Sequence, residues 1–127
     1  KYTIRAIISC KTSLRERLTE TAFWKRELEK KGNKIHIIFI TTDKDDEIRK
    51  DPNRYIVTHV LDYTIITSPE QLNNIINHWN ERYGDRADYN ILINKIGGVE
   101  KLCQIICMYI YNDINQCNIK CHQLTQQ

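Results

Sequence analysis

The fold of this chain is decided near its beginning, by the stretch Ile7-Ile8-Ser9-Cys10-Lys11-Thr12-Ser13-Leu14-Arg15-Glu16-Arg17. Its apolar first half predicts a β-strand over residues 2–10, which gives way to a lysine. Ser13 and Glu16 have the spacing of a capping box, so an amphipathic helix is predicted to begin there and to end near Gly32. A strand that leads directly into a helix indicates an α/β unit.

The same stretch concentrates charge where the strand ends and the helix begins. Phosphodiester hydrolysis uses a cation close to the phosphate, and Lys11 at a strand end suits that role. Arg15 and Arg17 can each donate two hydrogen bonds to guanine, and Glu16 can accept one from cytosine. The alternative is a surface lysine beside a solvated helix turn, with Glu16 acting only as the capping partner.

The rest of the chain continues to alternate strand and helix patterns. We expect strands at residues 35–42, 55–60, 62–67 and 89–96, with a charged connection over residues 43–54. Ser68 and Pro69 predict the start of a helix that ends near Gly84, and residues 99–114 predict a last helix that is apolar on several sides. We therefore predict one α/β domain over residues 1–127, with a mixed central sheet flanked by helices.

Composition limits the class of protein. The chain has 127 residues, a net charge of +3 and 41% hydrophobic residues, which is ordinary for a globular domain that tolerates a nucleic-acid partner. It has no apolar run long enough for a transmembrane helix and no signal-peptide pattern at its start, so we expect no membrane association. Its five cysteines, an odd number, favour reduced thiols in a cytosol.

The string from Ser9 to Arg17 resembles the core of type II restriction endonucleases of the PD-(D/E)xK fold. It is most similar to the BsaWI-like group, which reads CCGG or CC…GG sites. The resemblance implies a Mg²⁺-dependent enzyme that cuts double-stranded DNA in the cytoplasm of a bacterium or archaeon. It also implies a restriction-endonuclease-like core, here partial because the first core strand is lacking.

The resemblance assigns roles to individual residues. Lys11 matches the catalytic lysine, and Ser9 matches a position that is usually acidic but is often serine in this group. Arg15, Glu16 and Arg17 match the residues that read the bases.

The metal-binding acids are harder to match. In this group an acidic residue on the following helix replaces the one lost at Ser9, thirteen or fourteen residues past the lysine, where this chain has Trp24 and Lys25. Glu20, about one turn earlier, is our expected catalytic acid and metal ligand, and Glu27 is the next candidate. The family's metal-binding aspartate lies on a preceding strand that this chain lacks. We expect the chain to be the C-terminal part of a longer enzyme, a cleaved enzyme, or one with an incomplete active site.

Other patterns favour structural roles. Cys103, Cys107, Cys117, Cys121 and His122 have i, i+4 spacings that could form a zinc site, but the absence of a CxxC pair and the apolar setting favour core thiols.

The acidic residues within 43–47 lack the pattern of a calcium loop and predict a solvated connection. Trp24 and Trp79 are both predicted to anchor the core.

The resemblance, taken with the residues themselves, implies two classes of function. The first is a homodimeric restriction endonuclease that cuts a short palindrome containing CC/GG, since a palindrome implies a two-fold dimer; the helix predicted at residues 99–114 is one possible interface. The alternative is a DNA-binding or assembly module of the same fold that has lost catalysis. A third possibility is a repair or recombination nuclease without sequence-specific cutting.

Overall fold

A computed structural model describes residues 6–12, 17–30, 32 and 35–110 of the chain. Four strands alternate with five helices in this part. In chain order the elements are β1 (Ala6–Lys11), α1 (Arg17–Lys30), β2 (His36–Thr41), α2 (Asp51–His59), β3 (Tyr63–Ile66), α3 (Pro69–Tyr83), α4 (Tyr89–Lys95), β4 (Ile96–Gly97) and α5 (Val99–Ile110).

The four described strands form one sheet in the order β1-β2-β3-β4, and every neighbouring pair is parallel. The α/β class with a central sheet flanked by helices is therefore confirmed, although the described pairings are all parallel where the sequence predicted a mixed sheet. In a parallel sheet the carboxyl ends of all strands lie at one edge. We call this side of the molecule, where Lys11, Thr41, Ile66 and Gly97 end their strands, the carboxyl edge.

The helices cover the two faces of the sheet unequally. Parallel strands that follow one another in space and in sequence are joined by right-handed crossovers, which place the connecting helices on one face. The larger core cluster shows this arrangement, because Phe39 and Ile66 of the sheet pack with Val57 of α2, Trp79 of α3 and Leu92 of α4. The smaller cluster lies on the other face.

That smaller cluster consists of Ile38, Ile65 and Ile105, so α5 crosses to the face opposite α2, α3 and α4. The helices that follow the neighbouring strands β3 and β4, which are α3 and α5, therefore lie on opposite faces of the sheet. Over β1 the α5 face is left more open, because Ile8 is 46% exposed and Cys10 is exposed.

Local signals in the sequence explain where several elements begin and end. The Ser68 side chain accepts a hydrogen bond from the backbone N–H of Gln71 at 3.3 Å, which caps α3 as predicted. Gly32 follows α1 with φ of +78° and donates its N–H to the Glu29 carbonyl at 3.0 Å, so the predicted helix end is confirmed.

Two of the predicted strands are wrong. Residues 55–59 belong to α2, with Val60 as its C-cap, and residues 89–95 form α4, which the two-residue β4 follows. Each segment buries one apolar side chain of its helix in the core, Val57 in α2 and Leu92 in α4, whereas Tyr55 and Ile91 on the same helices are exposed. No helix in the described part of the chain is both long enough and apolar enough to span a membrane.

Candidate active site

Lys11 lies at the carboxyl edge, as the last residue of β1. It pairs with Thr41 of β2, and Ser9 pairs with Phe39. Because paired residues of parallel strands point to the same face, Ser9 and Lys11 lie on the face that carries α2 to α4. Both residues are partly buried, so this strand presents a hydroxyl and an ammonium group side by side at one end of the sheet.

The ends of β1 and β2 are held together beyond the sheet itself. The Thr42 hydroxyl donates a hydrogen bond to the carbonyl of Thr12 at 3.4 Å. The Thr67 N–H donates to the Thr41 carbonyl at 3.0 Å, which extends the contact to the end of β3. These bonds fix the backbone on which Lys11 stands.

The helix position of Glu20 suits a role beside Lys11 better than that of Glu27. Glu20 is exposed in the first turn of α1, which follows the carboxyl edge, and within the described part of the chain it has no ion-pair partner. Glu27 lies seven residues further along, about 10 Å along the helix axis. It also accepts a hydrogen bond from Lys30 Nζ at 3.0 Å.

Lys25, which occupies a position where an acid was expected, belongs to a structural ion pair. Its Nζ atom lies 3.0 Å from Asp62 Oδ2, and the same oxygen accepts the backbone N–H of Ile37 at 2.7 Å. Ile37 and Asp62 lie near the beginnings of their strands, so this cluster is at the edge of the sheet opposite Lys11. Lys25 therefore ties α1 to the sheet and points away from the candidate site.

The predicted base-reading residues fall largely outside the described part of the chain. Arg15 and Glu16 are among the residues that the structure does not describe. Arg17 begins α1, but its side chain is not described. Their roles stay predictions.

The comparisons with known proteins fit this arrangement of strand, lysine and helix. The protein family described as "BsaWI restriction endonuclease type 2" matches residues 1–90, which include all of β1, α1, β2 and the string from Ser9 to Arg17. The chain belongs to the BsaWI type 2 restriction endonuclease family. The predicted resemblance is thereby confirmed.

A relative named as a probable type II restriction enzyme from Helicobacter pylori is 51% identical to this chain over 47 residues. That segment is 35% of this chain and 24% of the relative, so the match spans about a quarter of the curated relative's length. No solved structure matched the chain.

Asp43 is a buried residue near the candidate site whose role was not predicted from the sequence. It was predicted to lie in a solvated connection, but only 2% of it is exposed. One carboxylate oxygen accepts the backbone N–H groups of Glu47 at 2.8 Å and Ile48 at 3.2 Å, and the other accepts Gln71 Nε2 at 2.8 Å. Asp43 therefore holds the loop after β2 against the start of α3, at the same edge as Lys11.

The backbone and electrostatics of Asp43 are unusual. Its φ is +52°, in the left-handed region that aspartate tolerates better than most residues. The pKa of its carboxyl is raised above the usual value, because the effect of burial is larger than the opposing effect of the hydrogen bonds from Gln71, Glu47 and Ile48. An aspartate directly after a buried strand was the signal for this role.

The described residues contain no cluster of three or more His, Cys, Asp or Glu that could hold a metal ion. Among the acids predicted for the BsaWI-family site, Glu20 offers an exposed carboxylate, and oxygen ligands of this kind suit Mg²⁺.

Within the described part of the chain, the cysteines of the possible zinc site are not free thiols. Cys103 and Cys107 each take part in a disulfide, so the expectation of reduced thiols is wrong for these two residues. A sulfur bonded to another sulfur is not a thiolate ligand. Cys117, Cys121 and His122 lie outside the described residues.

Trp24 also departs from its prediction. It is 57% exposed and packs edge-to-face against Phe23, with ring centroids 5.9 Å apart, whereas Trp79 is fully buried as expected. Only one of the two tryptophans anchors the core.

Proposed function

We propose that this protein is a type II restriction endonuclease that cuts double-stranded DNA at a short palindrome containing CC/GG. The observation that carries the proposal is the family match over residues 1–90, within which Lys11 lies at the carboxyl edge of a parallel sheet. A palindromic target requires two equivalent reading heads, so the active form is a homodimer. The protein acts in the cytoplasm of a bacterium or archaeon.

Lys11 has the central role in the proposed reaction. Its ammonium group donates hydrogen bonds to the scissile phosphate and stabilises the negative charge that grows as water attacks phosphorus. Ser9, two residues earlier on the same face, lies beside it and can orient a water molecule or a phosphate oxygen through its hydroxyl group.

Mg²⁺, when bound, supplies positive charge that neutralises the phosphate oxygens. Glu20 would contribute one carboxylate ligand, together with the metal-binding aspartate that the family carries on the strand before the lysine strand. Arg15, Glu16 and Arg17 would read C·G pairs in the major groove, where arginine pairs with guanine and a carboxylate accepts from cytosine.

Cleavage of plasmid DNA by the full-length protein in Mg²⁺ tests the proposal. Replacing Lys11 by alanine should lower the cleavage rate by at least about 100-fold, the usual effect of removing one group that stabilises transition-state charge. Lys30→Ala is the matched control, because this lysine is exposed and paired with Glu27 at the far end of α1. Equal cleavage by the Lys11→Ala variant and the wild-type protein would disprove the role of Lys11.

The choice between the two acids has its own test. Glu20→Gln should abolish cleavage and Glu27→Gln should preserve it, if Glu20 is the metal ligand. The reverse result would assign the ligand to Glu27.

A second candidate function is a DNA-binding or assembly module without catalysis. It is favoured by one observation, that Lys25 occupies the expected position of the acid and is engaged with Asp62. Under this alternative, Arg15→Ala would abolish sequence-specific binding, while the wild-type protein would bind its site and never cut it. Cleavage that depends on Mg²⁺ would exclude this function.

A further inference from the structure

The carboxyl edge contains a crevice far from Lys11, where the chain changes sides of the sheet. After β3 the chain enters α3 on one face, and after β4 it enters α5 on the other. Open α/β sheets bind ligands in crevices of this kind, outside the carboxyl ends of strands whose following helices diverge. The crevice has a volume of about 660 Å³, and its lining includes Thr67, Leu72, Gly98 and Lys101.

Lys101 is folded back onto the end of β4. A Cβ atom added to Gly97 would lie 2.8 Å from Lys101 Cβ, 3.1 Å from its Cγ and closer still to its Cδ. Only glycine at position 97 leaves room for this arrangement, since real Cβ atoms do not approach other carbons so closely. Gly97 therefore lets the lysine stem lie across the strand end, beside the crevice.

Among the described residues, no carboxylate pairs with the Lys101 ammonium. It forms no hydrogen bond or ion pair within the described part of the chain, whereas Lys25, Lys30 and Lys50 are all paired with carboxylates. Glu100, its neighbour on the crevice rim, is exposed to solvent. Burial lowers the pKa of Lys101, which is the electrostatic cost of a partly buried cation that lacks an anion.

We propose that this crevice binds a backbone phosphate of the DNA through Lys101. The inference rests on the proposed function, because it adds a second contact point to the same DNA-binding edge. Three strand spacings separate β1 from β4, so Lys101 lies roughly 14 Å along the edge from Lys11. That span corresponds to about four nucleotide steps of one strand of B-DNA. Lys101 also lies beyond residue 90, where the family match ends.

Salt-dependent DNA binding tests the proposal. Binding of the full-length protein to a fluorescent duplex that contains a CC/GG palindrome is measured by anisotropy, without Mg²⁺, between 50 and 200 mM KCl. Each phosphate contact contributes about 0.9 to the slope of log K against log salt. Lys101→Gln should therefore lower the slope by about 0.9. The ratio of the wild-type to the Lys101→Gln binding constant should therefore fall by about 3.5-fold as KCl rises from 50 to 200 mM. This fall should be equal for palindromic and unrelated duplexes.

Three further variants separate charge from structure. Lys101→Arg keeps the charge and should keep the wild-type slope. Gly97→Ala displaces the lysine and should lower the slope as Lys101→Gln does. Lys30→Gln, the matched control at the opposite edge, should leave the slope unchanged.

Two outcomes would overturn the inference and are distinguishable. If the wild-type protein binds and cuts DNA but Lys101→Gln has an unchanged slope, the crevice is not a phosphate site and the proposed function stands. If the wild-type protein does not bind duplex DNA at any salt concentration, the proposed function fails and the crevice proposal fails with it.

Discussion

Replacing Asp43 by alanine should destabilise the protein strongly, although the residue lies in a loop of charged residues. The substitution removes the acceptor of three hydrogen bonds, from the amides of Glu47 and Ile48 and from Gln71 Nε2. The Ile48 amide is buried with no access to water, so leaving it unsatisfied costs about 1–3 kcal/mol. The other two donors are partly buried and add about 0.5–1.5 kcal/mol each.

The expected loss is therefore about 2–6 kcal/mol of unfolding free energy. Urea unfolding followed by the fluorescence of Trp79, which is fully buried, measures it. Lys44→Ala is the matched control, because this exposed residue directly follows Asp43 and its loss should change stability by no more than about 0.5 kcal/mol. Equal stability of the two variants would refute the role assigned to Asp43.

The pH dependence of the same residue gives a second, independent check. The raised pKa means that the folded state favours the neutral carboxyl. The stability that Asp43 contributes in this way is present below its unfolded pKa of about 3.8 and is lost as pH rises through the higher folded pKa. Asp43→Asn does not titrate, so the free-energy difference between wild-type and this variant should shrink from about pH 3.5 to pH 7. A difference that grows with pH would contradict the raised pKa.

Four further substitutions test the packing described above, each measured by urea unfolding or thermal melting. Trp79→Ala should cost about 3–5 kcal/mol, and Trp24→Ala less than about 1 kcal/mol, because only the first side chain is buried; equal losses would contradict this packing. Asp62→Ala should cost about 2–4 kcal/mol, because the Ile37 amide loses its acceptor and Lys25 keeps only its longer contact of 3.8 Å with Glu29 among the described residues; a neutral effect would show that the ion pair with Asp62 does not hold α1. Gly32→Ala should cost about 1 kcal/mol through its φ of +78° alone, since no atom lies within 4 Å of the added methyl group; a stabilised variant would contradict the left-handed helix end.

The sequence was sufficient for elements whose ends carry capping residues. The helix that starts at Ser68 was predicted at its observed boundary, because a serine cap followed by proline has one structural solution. The strand at His36–Thr41 was predicted from an apolar run that suits only a buried position.

The errors arose where tertiary packing overrides local preference. Val57 and its neighbours in α2 have high strand propensity, but the parallel pairing of β2 with β3 demands a crossover between them, and only a helix bridges that span compactly. Pro52, in the first turn of α2, was the missed start signal. Similarly, Asp43 was predicted to be solvated because a run of acids is usually exposed, and its burial depends on Gln71 from a distant helix.

The site residues divide in the same way. Lys11 and Ser9 could be located from the sequence because strand alternation fixes their side and their position at the strand end. The choice between Glu20 and Glu27 could not be made from the sequence, since both lie on one helix, and the exposure of Glu20 and the ion pair of Glu27 with Lys30 are seen only in the structure.

The identity between strand order and chain order has a consequence for how this protein assembles. Ala6 pairs with His36, Ile38 with Tyr63, and Thr64 with Ile96, so about 30 residues of chain separate each pair of partners. Each described strand after β1 pairs with the strand that precedes it in the chain, so none has to be inserted between two strands that are already paired. Each strand–helix unit can pack on the preceding unit as it leaves the ribosome. The hydrogen-bonding groups on the unpaired side of the last strand are exposed only until about the next 30 residues have been synthesised.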